Sequence, residues 1–243
     1  MNTKAALANQ GSVNPHVSVD CVIFGFDEDK LKVLLIEQER PSHADPGAPV
    51  RLALPGDLVY EKEGLDEAAQ RVLAELTELK GIFMQQFHAF GDPKRVQSES
   101  DAEWLKTYRT EPEARVITIA YYSVVKMEDY DPGAGSFARS SAWYDIHEIP
   151  PLAFDHNQIL NQAWDELKDE LNHDRIGFDL LPKKFTLSQL QRVYEVILDK
   201  KLDKRNFRKT VKKLENIKPL DEKQTGVSHK PAQLFKFTQT KKK

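Results

Sequence analysis

Residues 55–79 constrain the fold more than any other stretch of the chain. Pro55 and Gly56 end the apolar run Leu52-Ala53-Leu54 in a turn, since both residue types break regular structure. An acidic loop follows. Apolar residues then fall at Leu65, Ala68, Ala69, Val72, Leu73 and Leu76, the three-and-four spacing of one buried helix face. Glu67, Arg71 and Glu75 stand at steps of four on the same helix, which also suits an ordinary charged surface whose pairs contribute about 0.2–0.5 kcal/mol each.

The segments around this loop and helix predict strands. Val17, Val19 and Cys21 alternate with Ser18 and Asp20 before an apolar run to Phe26, the pattern of a strand entering a core. Asp27-Glu28-Asp29-Lys30 turns the chain, and residues 31–37 return as a second strand. Residues 41–49 are a Pro, Gly and Ala loop, and Arg51 opens the short strand before the turn. Further strands are expected at 84–90, 115–125 and 142–145, with a helix at 157–171 begun by Asp155 as its cap. Residues 97–110 interrupt this domain. They are polar, with Trp104, Leu105 and Tyr108 at helical spacing, and predict a short surface helix. Residues 1–15 read as a loose tail, 16–152 as the first domain, 153–175 as a connecting helix and 176–243 as a second domain.

Charge separates the two domains. The chain carries −3 overall, but residues 183–243 hold 18 Lys and Arg against 6 Asp and Glu, leaving 17 basic and 32 acidic residues in the remainder. A strongly basic segment of this size points to nucleic acid, which an acidic body would repel. The single cysteine, Cys21, excludes an internal disulfide and lies in an apolar run as a small hydrophobe. No run approaches the roughly 20 apolar residues of a membrane helix, and residues 1–10 lack a signal core, so a cytoplasmic protein without membrane contact is expected.

The basic segment has its own order. Thr186 is an N-cap with Gln189 at the capping-box position, opening a helix to about Leu198. Asp203 caps a second helix, 204–215, whose apolar residues are Phe207, Val211 and Leu214. Its other faces are Lys204, Arg205, Arg208, Lys209, Lys212 and Lys213. A hairpin tip around Ser228-His229-Lys230-Pro231 and a returning strand at 234–237 complete helix, turn, basic helix and hairpin, the order of a winged helix. Arg205, Arg208 and Asn206 suit guanine and adenine edges, and Lys209, Lys212 and Lys213 suit phosphates. Thr186, Ser188, Gln189, Lys204, His229 and Lys230 complete the expected DNA-binding set.

Residues 55–79 resemble the Nudix box, a loop and helix whose glutamates hold magnesium for hydrolysis of nucleoside diphosphates linked to a further group. Glu63, Arg71 and Glu75 match box positions, but the other two helix glutamates fall on Val72 and Leu76, and the box glycines on Gly56, Asp57 and Glu78. Magnesium requires oxygen ligands, so the resemblance implies a Nudix fold without metal or catalytic residues. Phe90-Gly91-Asp92-Pro93 followed by Arg115 and its strand is similar to the ADP-ribose branch of the family. That likeness makes Arg40, Arg51, Gly56, Glu63, Arg71, Glu75, Phe90 and Arg115 candidates for effector contact, although arginines pairing with neighbouring acids compete with this reading. Ala68 to Leu76, Phe154-Asp155-His156, Phe185 to Leu190 and Asp203 to Arg208 resemble the Nudix-related bacterial transcriptional regulators. The resemblance implies an α+β chain: a Nudix-like α/β/α sandwich, then a C-terminal winged helix. It further implies a homodimeric repressor of NAD metabolism that binds a palindromic duplex operator and answers to ADP-ribose, with no other cofactor. A regulator answering to an arabinose-type sugar and an active ADP-ribose pyrophosphatase are the alternatives.

Overall fold

The computed structural model describes residues 12–27, 29–40, 47, 50–96, 98–172, 180–228 and 230–238. The expected loop at 41–49, apart from Gly47, and residues 176–179 of the expected boundary lie outside them. The chain divides into two compact units, Met1–Gly25 with Lys32–Trp164, and Phe26–Leu31 with Asp165–Lys243.

The first unit is built on seven strands: β1 (Val13–Phe26), β2 (Leu31–Gln38), β3 (Leu52–Ala53), β4 (Gly56–Tyr60), β5 (Gln85–Phe90), β6 (Ile117–Lys126) and β7 (Ala138–Asp145). They run in the order β3-β2-β1-β6-β5, with β4 also on β1 and β7 on β2. The interior position of β1 explains its sequence. Val19, Cys21, Val22, Ile23 and Phe24 are all buried, because a strand covered on both faces reads as a continuous apolar run. Burial, with Asp20 adding to it, pushes the Cys21 thiol well up, so it packs and does not react. β1 begins at Val13, inside the stretch expected to be tail, because Val13 pairs with Tyr60 and Ser12 O accepts Glu61 N–H at 2.8 Å.

Helix α1 (Leu65–Thr77) turns Ala68, Ala69, Val72, Leu73 and Leu76 into the core beside the sheet. Its start is held by Glu67 Oε2, which accepts Gly64 N–H at 3.0 Å. It ends at Glu78 with φ 61°, a left-handed conformation that glycine usually supplies.

Helix α2 (Glu99–Tyr108) corrects the expectation of a surface helix. Trp104 is only 2 % exposed; it stacks on Tyr108 at 4.7 Å and meets Phe137 and Phe154 edge-on. Its Nε1–H donates to Glu39 O at 3.2 Å. The same helical spacing that predicted the element carries its apolar stripe inward. Helix α3 (His156–Asn172) buries Ile159, Leu160, Ala163, Leu167 and Leu171, and half-buried Trp164 meets His147 edge-on at 5.7 Å.

The second unit contains α4 (Leu187–Ile197), α5 (Lys204–Val211) and the hairpin β8 (Ile217–Lys223) and β9 (Gln233–Phe237). Thr186 Oγ1 accepts Gln189 N–H at 3.2 Å and Gln189 Oε1 accepts Thr186 N–H at 2.8 Å, the expected capping box. Asp203 caps α5 by accepting Asn206 N–H at 2.8 Å. α5 stops at Val211, short of the expected end at Glu215. Lys213 N–H returns to Thr210 O and Leu214 N–H to Val211 O, tightening the chain so that Ile217 can enter β8. Phe185 and Phe235 exchange backbone hydrogen bonds at 3.0 and 2.7 Å, adding a third rung beside the hairpin. Phe185 tilts onto Phe237, and Tyr194 of α4 meets Phe207 of α5 edge-on. Among the described residues no helix is long and apolar enough to cross a membrane.

Candidate functional site

On the loop and α1, Arg71 gathers both matching carboxylates. Its Nε and Nη2 donate to Glu63 at 2.6 and 2.8 Å, and Nη1 reaches Glu75 Oε2 at 3.1 Å. Nη2 also donates to Leu58 O at 2.9 Å, and the guanidinium lies 3.8 Å from the Tyr60 ring centroid. Burial pushes the Glu63 carboxyl up, but hydrogen bonds from Arg71 and Tyr60 N–H outweigh it and hold it below the ordinary range. Val72 is fully buried and Leu76 nearly so. These residues do not fit a divalent cation: two positions offer no oxygen, and one arginine holds the two carboxylates that remain. Among the described residues, no group of three or more His, Cys, Asp or Glu is placed to hold a metal.

A cavity of about 360 Å³ opens elsewhere in the first unit. Asp20 on β1, Gly56 at the start of β4, Arg95, Arg109, Arg115 and His156 line it, with Trp104 and Phe154 as aromatic wall. The turn after Gly91 positions Arg95, since Asp92 Oδ1 accepts Lys94 N–H at 2.8 Å. Arg95 then forks onto Asp155 through Nε at 2.7 Å and Nη2 at 2.8 Å, while Nη1 donates to Phe90 O at 3.2 Å. Asp155 O still accepts Ile159 N–H at the start of α3. Its carboxylate, expected to cap that helix, goes to Arg95 because the fold brings a cation to it. His156 is buried and its Nδ1 accepts Leu54 N–H at 2.9 Å. Burial pushes this imidazole below its ordinary value, against the pull of Asp20 and Asp155, so the neutral ring carries its proton on Nε2. Arg109 Nη1 meets Asp57 Oδ1 at 3.0 Å.

The expected effector residues are dispersed. Gly56 and Arg115 line the cavity; Arg115 is exposed and its Nη2 donates to Gly91 O at 2.8 Å. Glu63, Arg71 and Glu75 are engaged with one another. Arg51 donates to Asp101 at 2.7 Å and to Ser100 at 3.1 Å and covers Phe154. Arg40 is partly buried, its carbonyl accepting Tyr108 Oη–H. Phe90 is buried against Phe87 and His88. Sequence reasoning misses Asp20, Asp57, Arg95 and Arg109 as cavity residues: Asp20 reads only as a polar position of an alternating strand and Asp57 as a lost box glycine, while Arg95 and Arg109 stand in no local pattern. It also favours Asp155 as a helix cap over any role for the neighbouring His156.

In the second unit, α5 buries Phe207 and Val211 and exposes Lys204, Arg205, Asn206, Arg208, Lys209 and Lys212, with Lys213 just beyond. Among the described residues none of these cations is paired with a carboxylate. Lys204, Arg205, Arg208, Lys209 and Lys212 with Asp203 border one shallow depression. Ser188, Gln189 and Lys230 are exposed, and His229 lies outside the described residues. Thr186 is corrected: it is only 3 % exposed and its hydroxyl is committed to the cap, leaving little to offer a nucleic acid.

Residues 14–163 match the model of the NUDIX domain. The chain belongs to the Nudix family. Residues 177–237 match the NrtR DNA-binding winged helix domain. The chain is 27 % identical to the ADPR responsive transcriptional repressor NtrR of Acinetobacter baylyi, over 92 % of this chain and 82 % of that protein. It is 28 % identical to an ADP-ribose pyrophosphatase of Methanocaldococcus jannaschii, over 61 % of this chain and 72 % of the relative. Its fold is similar to that of Shewanella oneidensis NrtR complexed with a 27mer DNA, with TM-score 0.63, 24 % identity and coverage of 91 % and 93 % of the two chains. The expected order, Nudix-like α+β unit followed by winged helix, is therefore the order present. Within the Nudix box, Glu78 occupies the glycine position expected at the helix end and keeps glycine's left-handed backbone.

Proposed function

We propose that this Nudix protein is an ADP-ribose-responsive, DNA-binding transcriptional repressor whose Nudix unit senses its ligand without hydrolysing it. One observation carries the reading: a Nudix box whose two remaining carboxylates are held by Arg71, on a chain that also presents the exposed basic face of α5. A box without a cation lacks the group that offsets diphosphate charge and activates water, whereas the neighbouring cavity keeps the volume and polar lining of a ligand site. The relative named as an ADPR responsive repressor supports the choice of effector. One recognition helix per chain reads half a site, so the active species is a homodimer on a palindromic operator. No cofactor beyond the effector is required, and the regulated process is NAD metabolism in the cytoplasm.

Ligand acts by linkage: its effect on operator affinity equals its preference between the DNA-bound and free arrangements. Fluorescence anisotropy on an operator duplex with and without ADP-ribose tests this. Repression predicts weaker DNA binding at saturating ADP-ribose, and unchanged binding removes the sensor role. The pyrophosphatase relative keeps a second reading in play, and chromatographic assay of AMP and ribose 5-phosphate formed from ADP-ribose with magnesium decides against it if turnover stays at background. A thermal-shift comparison with arabinose and phosphorylated sugars separates the sugar-responsive alternative.

A further inference from the structure

Asp20 is a mostly buried carboxylate bordering the cavity. It is 5 % exposed, yet among the described residues neither carboxylate oxygen accepts a hydrogen bond. Arg95 Nη2 stands 3.7 Å from Oδ2 and His156 Nε2 3.6 Å from Oδ1, close enough to balance charge but too far to donate. Arg95 spends its short hydrogen bonds on Asp155 and on Phe90 O. The oxygens are held over the β1–β4 pairing of Asp20 with Gly56, where a Cβ on Gly56 would stand 1.8 Å from Oδ1. Glycine at position 56 is thus what leaves room for this carboxylate. The oxygens are therefore open to a donor that enters the cavity.

The surroundings select the partner's chemistry. A metal cation at Asp20 would meet the Arg95 guanidinium, and a phosphate would meet the Asp20 carboxylate itself. A neutral donor meets neither repulsion. Ser18 and Thr118, whose hydroxyls contact each other, line the same cavity. Arg109 and Arg115 offer cations elsewhere in its lining, so a molecule bearing both sugar hydroxyls and phosphates matches the whole cavity. Resting on the effector reading above, we propose that Asp20 is a specificity-determining contact that accepts hydrogen bonds from the hydroxyls of a ribosyl group.

The test is calorimetric titration of the full chain and of Asp20→Asn and Asp20→Ala with ADP-ribose and with ADP, alongside thermal unfolding of each free protein. Asn keeps the shape and replaces one acceptor oxygen by a donor. Hydrogen bonds to a charged acceptor predict a loss of about 10- to 100-fold in ADP-ribose affinity for both variants, with the free-protein Tm unchanged or higher because a buried charge is gone. A smaller loss for ADP places the contact on the terminal ribosyl group, and an equal loss places it on the adenosine ribose; either supports the proposal. ADP-ribose affinity within threefold of wild type overturns it, as does a matching fall in free-protein Tm, which would make Asp20 structural. Failure of the unsubstituted protein to bind ADP-ribose overturns the effector reading as well, and so is distinguishable from failure of the Asp20 contact alone.

Discussion

Arg51 Nη2 lies 2.7 Å from Asp101 Oδ1, tying the residue before β3 to the helix that interrupts the Nudix domain. Asp101 is 5 % exposed and also accepts Phe154 N–H at 3.2 Å, so the pair joins three segments, two of which, α2 and the turn at Phe154, border the cavity. Arg51→Met leaves this carboxylate buried without its cation, a change that costs about 3 kcal/mol. Urea unfolding of the variant should show that loss. An unchanged midpoint would mean that α2 is not held through this pair.

Arg71 predicts the fate of the Nudix box. Arg71→Ala frees Glu63 and Glu75, but Val72 and Leu76 still offer no oxygen to a cation. Formation of AMP and ribose 5-phosphate from ADP-ribose with magnesium should therefore stay at background in both the natural protein and the variant. Magnesium-dependent turnover in either would contradict the non-hydrolytic reading.

The exposed face of α5 divides into two kinds of contact. Substituting Arg205, Asn206 or Arg208 by Ala should cost about 1–3 kcal/mol on the operator and relax base preference. Substituting Lys209, Lys212 or Lys213 should weaken binding on all duplexes alike and reduce the salt slope by about 0.9 for each phosphate no longer neutralised. Anisotropy at two salt concentrations, on operator and on random duplex, separates the two groups.

His156 makes stability depend on pH. Its folded-state affinity for protons is depressed below the ordinary value of 6.5, so in acid the unfolded chain binds the extra proton. Stability then rises with pH through this range and is lost as pH falls below about 6.5, by at most about 1.4 kcal/mol per pH unit. Glu63, held below its ordinary 4.5, acts only in more acidic solution. Unfolding midpoints measured between pH 7.5 and 5.5 should fall, and His156→Gln should flatten that slope.

Glu78 holds φ 61° at the end of α1. A left-handed residue with a Cβ costs roughly 1–2 kcal/mol, partly offset by the greater freedom of an unfolded glycine. Glu78→Gly should therefore raise stability by about 1 kcal/mol in thermal unfolding, and a loss would show that the Glu78 side chain contributes more than its backbone strain.

Whatever is written in steps of two, three or four residues could be read directly. The α1 stripe from Leu65 to Leu76, the capping box at Thr186, the buried run of β1 and the charged faces of α5 all depend on neighbours one turn or one pleat away. These sufficed for the α+β order and the basic helix. The inward turn of Trp104 and the Arg95–Asp155 fork depend on partners tens of residues distant, as does the donor-poor setting of Asp20. Periodicity sets which face of an element is apolar. Only the packed sheet and helices decide which side chains from separate segments share one cavity, because that depends on where the chain returns in space.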